Sequence, residues 1–178
     1  TAFVGDLALM GRLADALSSS GVKLVLFSNS AGCALYQFDS RFDGRVVVKK
    51  ERGIGKARSI FKIAKQIRNE NLDVLLVAHE SLTSHLIAFL SRVPRRLAFQ
   101  GPFARVFRFE ANVVPSSCHT SEKYLALARS LVTHDVIKNS RLSLQGDSSL
   151  KRFRSRFSEL IDGTDQRFFI CSPGSVWQ

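Results

Sequence analysis

The sequence contains no apolar run that approaches the roughly 18 residues a membrane-spanning helix needs. Its cysteines are few and scattered: Cys33, Cys118 and Cys171 form no CxxC pair and are odd in number. That excludes a disulfide framework and a zinc site, and it predicts plain buried thiols in a reducing compartment. Absent as well are a GxGxxG fingerprint after the first apolar stretch, a Walker loop and a GxSxG elbow. The start does not read as a signal peptide, because Asp6 interrupts it and no basic region precedes it. Acid is scarce, with 15 acidic against 26 basic residues and a net charge of +11. Such a surplus predicts an anionic partner. Nucleic acid, acidic lipid and phosphorylated sugar all satisfy the sign.

What is present reads as one α/β domain. The chain has 178 residues, 45% hydrophobic and 23% charged, enough for a sizeable core in a single domain. Thr1-Ala2-Phe3-Val4 reads as the end of a buried strand, with Gly5 as a sharp turn and Asp6 as the N-cap of a helix over Leu7 to Leu17. Further strands are predicted at 22–27, 45–48, 73–78 and 96–99, separated by helices at 31–38, 58–68 and 82–90. Short connections and near-continuous apolar strands point to a Rossmann-like, doubly wound parallel sheet with helices on both faces. A less regular basic and aromatic segment, 102–115, follows; within it Val106-Phe107-Arg108-Phe109 alternates as a half-buried strand does. Helices at 121–132 and 148–161 and a last strand at 167–171 complete the reading. The closing Ser172-Pro173-Gly174-Ser175 has the form of a phosphate-binding loop at the start of a helix.

In an open α/β sheet, ligands bind at the carboxyl ends of the strands. Three clusters fall there. The first is Asp6. The second is the segment from Arg45 to Arg68, which has nine basic residues and one acid, Glu51. In it Lys49, Lys50, Arg52, Lys56 and Arg58 crowd around Gly53 and Gly55, an arrangement suited to closing over an anion. The third is His79-Glu80-Ser81, where a proton relay is weaker than a structural histidine. His119 and Glu122 read as a helix entry. Arg95, Arg96, Arg105 and Arg108, interleaved with phenylalanines, form a further basic group. No set of residues has metal-ligand spacing.

Taken together, five stretches resemble the N-terminal domain of the lipopolysaccharide heptosyltransferases (glycosyltransferase family 9). They are Gly5-Asp6-Leu7; His79-Glu80-Ser81-Leu82-Thr83-Ser84; Val93-Pro94-Arg95-Arg96-Leu97-Ala98-Phe99; Glu122 to Ala128; and Pro173-Gly174-Ser175-Val176-Trp177. The resemblance implies the N-terminal half of a GT-B enzyme: residues 1–171 an acceptor-binding domain, and 172–178 the start of the link to a C-terminal domain. It implies inverting transfer of heptose from ADP-L-glycero-D-manno-heptose to Kdo-lipid A, with Asp6 as general base. Gly5, Lys49, Lys50, Arg52, Lys56, Arg58, Ser81 and Arg105 would bind the acceptor, and Gly174 and Ser175 the donor phosphates. It further implies a cytoplasmic protein in peripheral contact with the anionic inner membrane, with no tightly bound cofactor and no nucleic acid. This half alone should be inactive. The reading from charge alone is a non-catalytic basic module that binds an anionic partner such as nucleic acid.

Overall fold

Helix and strand alternate along the chain: α1 (Val4–Leu9), α2 (Gly11–Ser19), β1 (Val25–Ser28), α3 (Ser30–Leu35), β2 (Gly44–Val47), α4 (Lys56–Asn69), β3 (Val74–Val77), α5 (Leu82–Ser91), β4 (Arg95–Phe99), α6 (Pro102–Val106), β5 (Glu110–Asn112) and α7 (Thr120–Ala126). This computed structural model describes residues 4–49, 51, 53–114, 117–133 and 136–137, all within the unit Thr1–Gln145. Lys50, Arg52, Gly174, Ser175, the junction at 171/172 and the elements expected at 148–161 and 167–171 lie outside the described residues.

Every strand pairing is parallel. Val25 to Ser28 lie opposite Gly44 to Val47. Val74 to Val77 lie opposite Arg95 to Ala98, and Leu97 to Phe99 opposite Glu110 to Asn112. Side chains of a strand alternate between faces, and the core follows that rule. Leu76 and Ala78 pack with Leu13, Leu17 and Tyr124 on one face. Leu75 turns to the other face, against Ile60, Ile63 and Ile87. In β4, Phe99 joins the first cluster and Ala98 a third, with Val77, Ala104 and Phe109. The expected layering of helices on both faces is therefore present around β3 and β4.

Two local expectations are corrected. Val4 opens α1 instead of ending a strand, and Asp6 lies inside the first turn of that helix instead of capping it. The reason is visible in the burial: Leu7, Gly11 and Ala14 are all buried at helical spacing, so the apolar stripe runs back to the start. α1 and α2 are joined by one tight turn, with the Met10 N–H bonded to the Leu7 carbonyl at 3.1 Å and Ala14 N–H to Met10 at 3.0 Å. Thr1 to Phe3 lie outside the described residues, and the described strands form two sheets, β1–β2 and β3–β4–β5.

The alternating Val106 to Phe109 is not a strand either. Pro102, set after an extended Gly101, starts α6. Arg108 then turns the chain with φ +54°. Phe107 and Phe109 nonetheless point inward, because the turn aims both at the third cluster.

Candidate functional site

Because all strands are parallel, the segments after β1 to β4 leave from carboxyl ends, and the contacts around Ser28 show how the first two meet. Asn29 caps α3 by accepting the Gly32 N–H at 2.9 Å. A Cβ on Gly32 would run into the Ser28 hydroxyl and stand 3.1 Å from Leu7 Cδ1. The close pass seats α1 at the end of β1. The Ser28 carbonyl in turn accepts the Val48 N–H at 2.8 Å. Asp6 is one residue from the first contact and Lys49 one residue from the second. The backbone therefore brings the carboxylate-bearing helix and the start of the basic loop to one rim.

The loop closes on itself. Glu51 N–H donates to Ser59 Oγ at 3.4 Å, and Ser59 Oγ donates to the Lys56 carbonyl at 2.9 Å. Gly53 has φ +67°, which a side chain would strain. A Cβ on Gly55 would meet the Glu51 carboxylate, which would have to swing aside. That carboxylate thus lies against the start of α4, the end a helix dipole makes attractive to anions. Lys49, Lys56 and Arg58 are exposed and form no ion pair among the described residues.

After β3 the polar groups are committed to structure. Ser81 caps α5, its hydroxyl accepting the Ser84 N–H at 3.2 Å, while its carbonyl is bonded by His85 Nδ1 at 2.9 Å. Glu80 pairs with Lys123 Nζ at 2.8 Å. His119 caps α7 by accepting the Ser121 N–H at 3.2 Å, the helix-entry role its position suggested; Glu122 meets Arg12 instead. Arg105 stands exposed on α6 after β4, with no side-chain partner among the described residues.

Sequence reasoning missed the group that holds this rim in place. Asp39 is fully buried, and Arg41 grips it with Nε at 2.9 Å and the second amino group at 2.5 Å. Arg41 also donates to the Gly11 carbonyl at 2.8 Å, at the break between α1 and α2. Tyr36, wholly buried, donates its hydroxyl to the Leu7 carbonyl. The Tyr36 tie fastens α1, the helix that carries Asp6, and the Arg41 tie fastens the start of α2 just after it. The only local signal was a short Asp-Ser-Arg run, which reads as an ordinary turn.

Burial raises the Tyr36 phenol to about 12, with nearby Arg41 acting the other way. The folded state therefore holds this proton where the unfolded chain has released it. Stability from Tyr36 is intact below pH 10 and is lost as the pH climbs from 10 towards 12. Urea midpoints should fall over that window, and less steeply in Tyr36→Phe; equal slopes for both proteins would refute the assignment.

No family model matches the sequence, and no curated protein does. Solved structures do match. A glycosyl transferase family 9 protein from Veillonella parvula DSM 2008 superimposes with a TM-score of 0.71 at 15% identity, over 90% of this chain and 48% of that one. The chain shares that protein's fold. The E. coli ADP-heptose LPS heptosyltransferase II gives a TM-score of 0.67 at 16% identity, over 89% of this chain and 49% of its own. The chain thus spans about half the length of these two glycosyltransferases. The shared fold accounts for the parallel strands and for the helices on both faces of β3 and β4.

Proposed function

We propose that this chain is the acceptor-binding half of an inverting glycosyltransferase that moves heptose from ADP-L-glycero-D-manno-heptose to the inner core of lipopolysaccharide. The observation that carries the reading is the shared fold over 90% of the chain, on which Asp6 and the Lys49 to Arg58 loop flank the same strand ends. In this reading Asp6 takes the proton of the acceptor hydroxyl as that oxygen attacks the anomeric carbon, and ADP leaves from the opposite side. The cations of the loop neutralise acceptor phosphates, with Arg105 contributing from the helix after β4. Ser81 acts through the geometry of α5 rather than by touching substrate. Gly174 and Ser175 would meet the donor phosphates, and the remainder of the donor site belongs to a second domain. The acceptor is carried on lipid, so the enzyme works at the membrane surface.

The test is ADP release by the full-length protein from ADP-heptose with Kdo-lipid A, against the same donor without acceptor. Acceptor-dependent release supports the proposal; its absence overturns it. Reversing Lys49, Lys56 and Arg58 to Glu should raise KM for the acceptor more than tenfold at low salt and by less at high salt, because exposed charges are screened. An unchanged KM would return the loop to a solvated surface.

A further inference from the structure

The outward side of α4 and α5 is unlike an ordinary solvated surface. α4 carries Phe61 63% exposed. Around it on the helix stand Arg58 at i−3, Lys62 at i+1 and Lys65 at i+4, all exposed. Neither helix holds an acidic residue, and these three cations have no ion pair among the described residues. Arg68, two turns beyond Phe61 on the same flank, donates to the carbonyls of Leu90 at 2.6 Å and Ser91 at 3.2 Å. That flank of α4 therefore faces α5.

α5 continues the apolar surface. Leu82 is 52% exposed and Phe89 44% exposed, seven residues apart on one face, with Leu86 half-buried between them. At the far end of the ridge a cavity of about 420 Å3 opens between Phe89, Pro94, Arg92 and Arg96. Arg96 lies over the Phe89 ring at 5.6 Å and Arg92 is exposed, so two guanidiniums flank the opening. Arg92 sits at φ +59°, a left-handed helix end where glycine is the easier residue.

The geometry points to this ridge as a docking surface for an anionic phospholipid bilayer. Phe61, Leu82 and Phe89 enter the interface, while Arg58, Lys62, Lys65, Arg92 and Arg96 meet the lipid phosphates. Two features favour a bilayer over another protein. Large exposed side chains scattered along two helices suit a deformable partner, and a second copy would set cations against cations. No helix among the described residues is long and apolar enough to cross a membrane, so the contact is made from one side. The inference deepens the proposal of a lipid-borne acceptor and rests on that reading for its purpose, since α4 begins at the loop assigned to acceptor phosphates. Its observations stand apart from any transferase activity.

Sedimentation of the full-length protein with phosphatidylcholine vesicles, with and without phosphatidylglycerol, tests the surface. Binding should require phosphatidylglycerol and fall as salt rises. The exposed Lys62→Gln and Lys65→Gln changes should each weaken it by about fivefold, and Phe61→Ala by about tenfold. Lys23→Gln, an exposed cation on a different loop, is the control and should change it less than twofold. Failure to bind phosphatidylglycerol vesicles, or an equal loss in the Lys23 control, would overturn the assignment. So would a dimer in sedimentation that Phe61→Ala disperses, which would make the ridge a self-interface. Vesicle binding that persists when the heptose-transfer assay fails would retain the surface and reject only the reaction.

Discussion

In the full-length protein, Asp6→Asn should lower kcat by about a hundredfold to ten-thousandfold, the range general base catalysis commands, while leaving the acceptor KM within a few-fold. An acceptor hydroxyl is a weak nucleophile until its proton is taken. Asparagine keeps the size and polarity of the side chain but has no basic site. Asp6 lies in the first turn of α1. The acidic limb of the pH–rate profile should belong to this group and should vanish in the variant. Folding is not the confounder: an uncharged amide in a first turn costs a few tenths of a kcal/mol to about 1 kcal/mol. A melting temperature within a few degrees of wild type checks that. Turnover within threefold of wild type would remove Asp6 from the chemistry.

Arg41→Ala should destabilise the protein by about 3–5 kcal/mol, because it leaves the Asp39 carboxylate buried without the guanidinium that balances its charge. Asp39 is 0% exposed and Arg41 7%. The guanidinium is held in its charged form chiefly by its hydrogen bonds to Asp39, against the opposing effect of burial. Asp39→Ala should cost less, since Arg41 keeps Asp15 at 3.8 Å and the Gly11 carbonyl at 2.8 Å. Removing both charges together, as Asp39→Leu with Arg41→Met, should cost far less than the two single losses combined, because an apolar pair of similar volume needs no partner. Urea unfolding of the four proteins completes the cycle. Additive losses would mean that the two side chains act independently, against the bidentate geometry. Arg41→Ala should also free the start of α2, through the lost bond to the Gly11 carbonyl, so its kcat should fall further than its folded fraction explains.

The sequence was most legible where one residue type dominates one element. Val74 to Val77, apolar throughout, reads as a strand of a parallel sheet, and so it is, half-buried until Val77. In α4 the buried Ile60, Ile63, Ala64 and Ile67 mark the helix without ambiguity, and Asn71 ends it in a left-handed conformation (φ +49°). Short segments failed for a common reason. Val4-Gly5-Asp6 and Val106 to Phe109 each carry patterns that two elements share over four residues, and only their neighbours decide. Leu7 packing beside Gly32 makes the first a helix; Pro102 makes the second a helix end. The rim of strand ends was legible as a place, because parallel strands dictate it. Its supports were not. Nothing in Tyr36, Asp39 and Arg41 announces burial, since Asp and Arg are ordinarily exposed. Ser81 was singled out for its position in a motif, and its hydroxyl turns out to cap α5.

Gly32 carries one more consequence. Its missing side chain is what lets α1 lie against the end of β1, with the Ser28 hydroxyl and Leu7 both in the space a methyl would fill. Position 32 would therefore score in a mutational scan like a member of the reaction machinery while holding no reactive group at all. Each larger residue would lever the Asp6 helix outward by its own width, so lost activity would track the volume introduced and ignore its polarity.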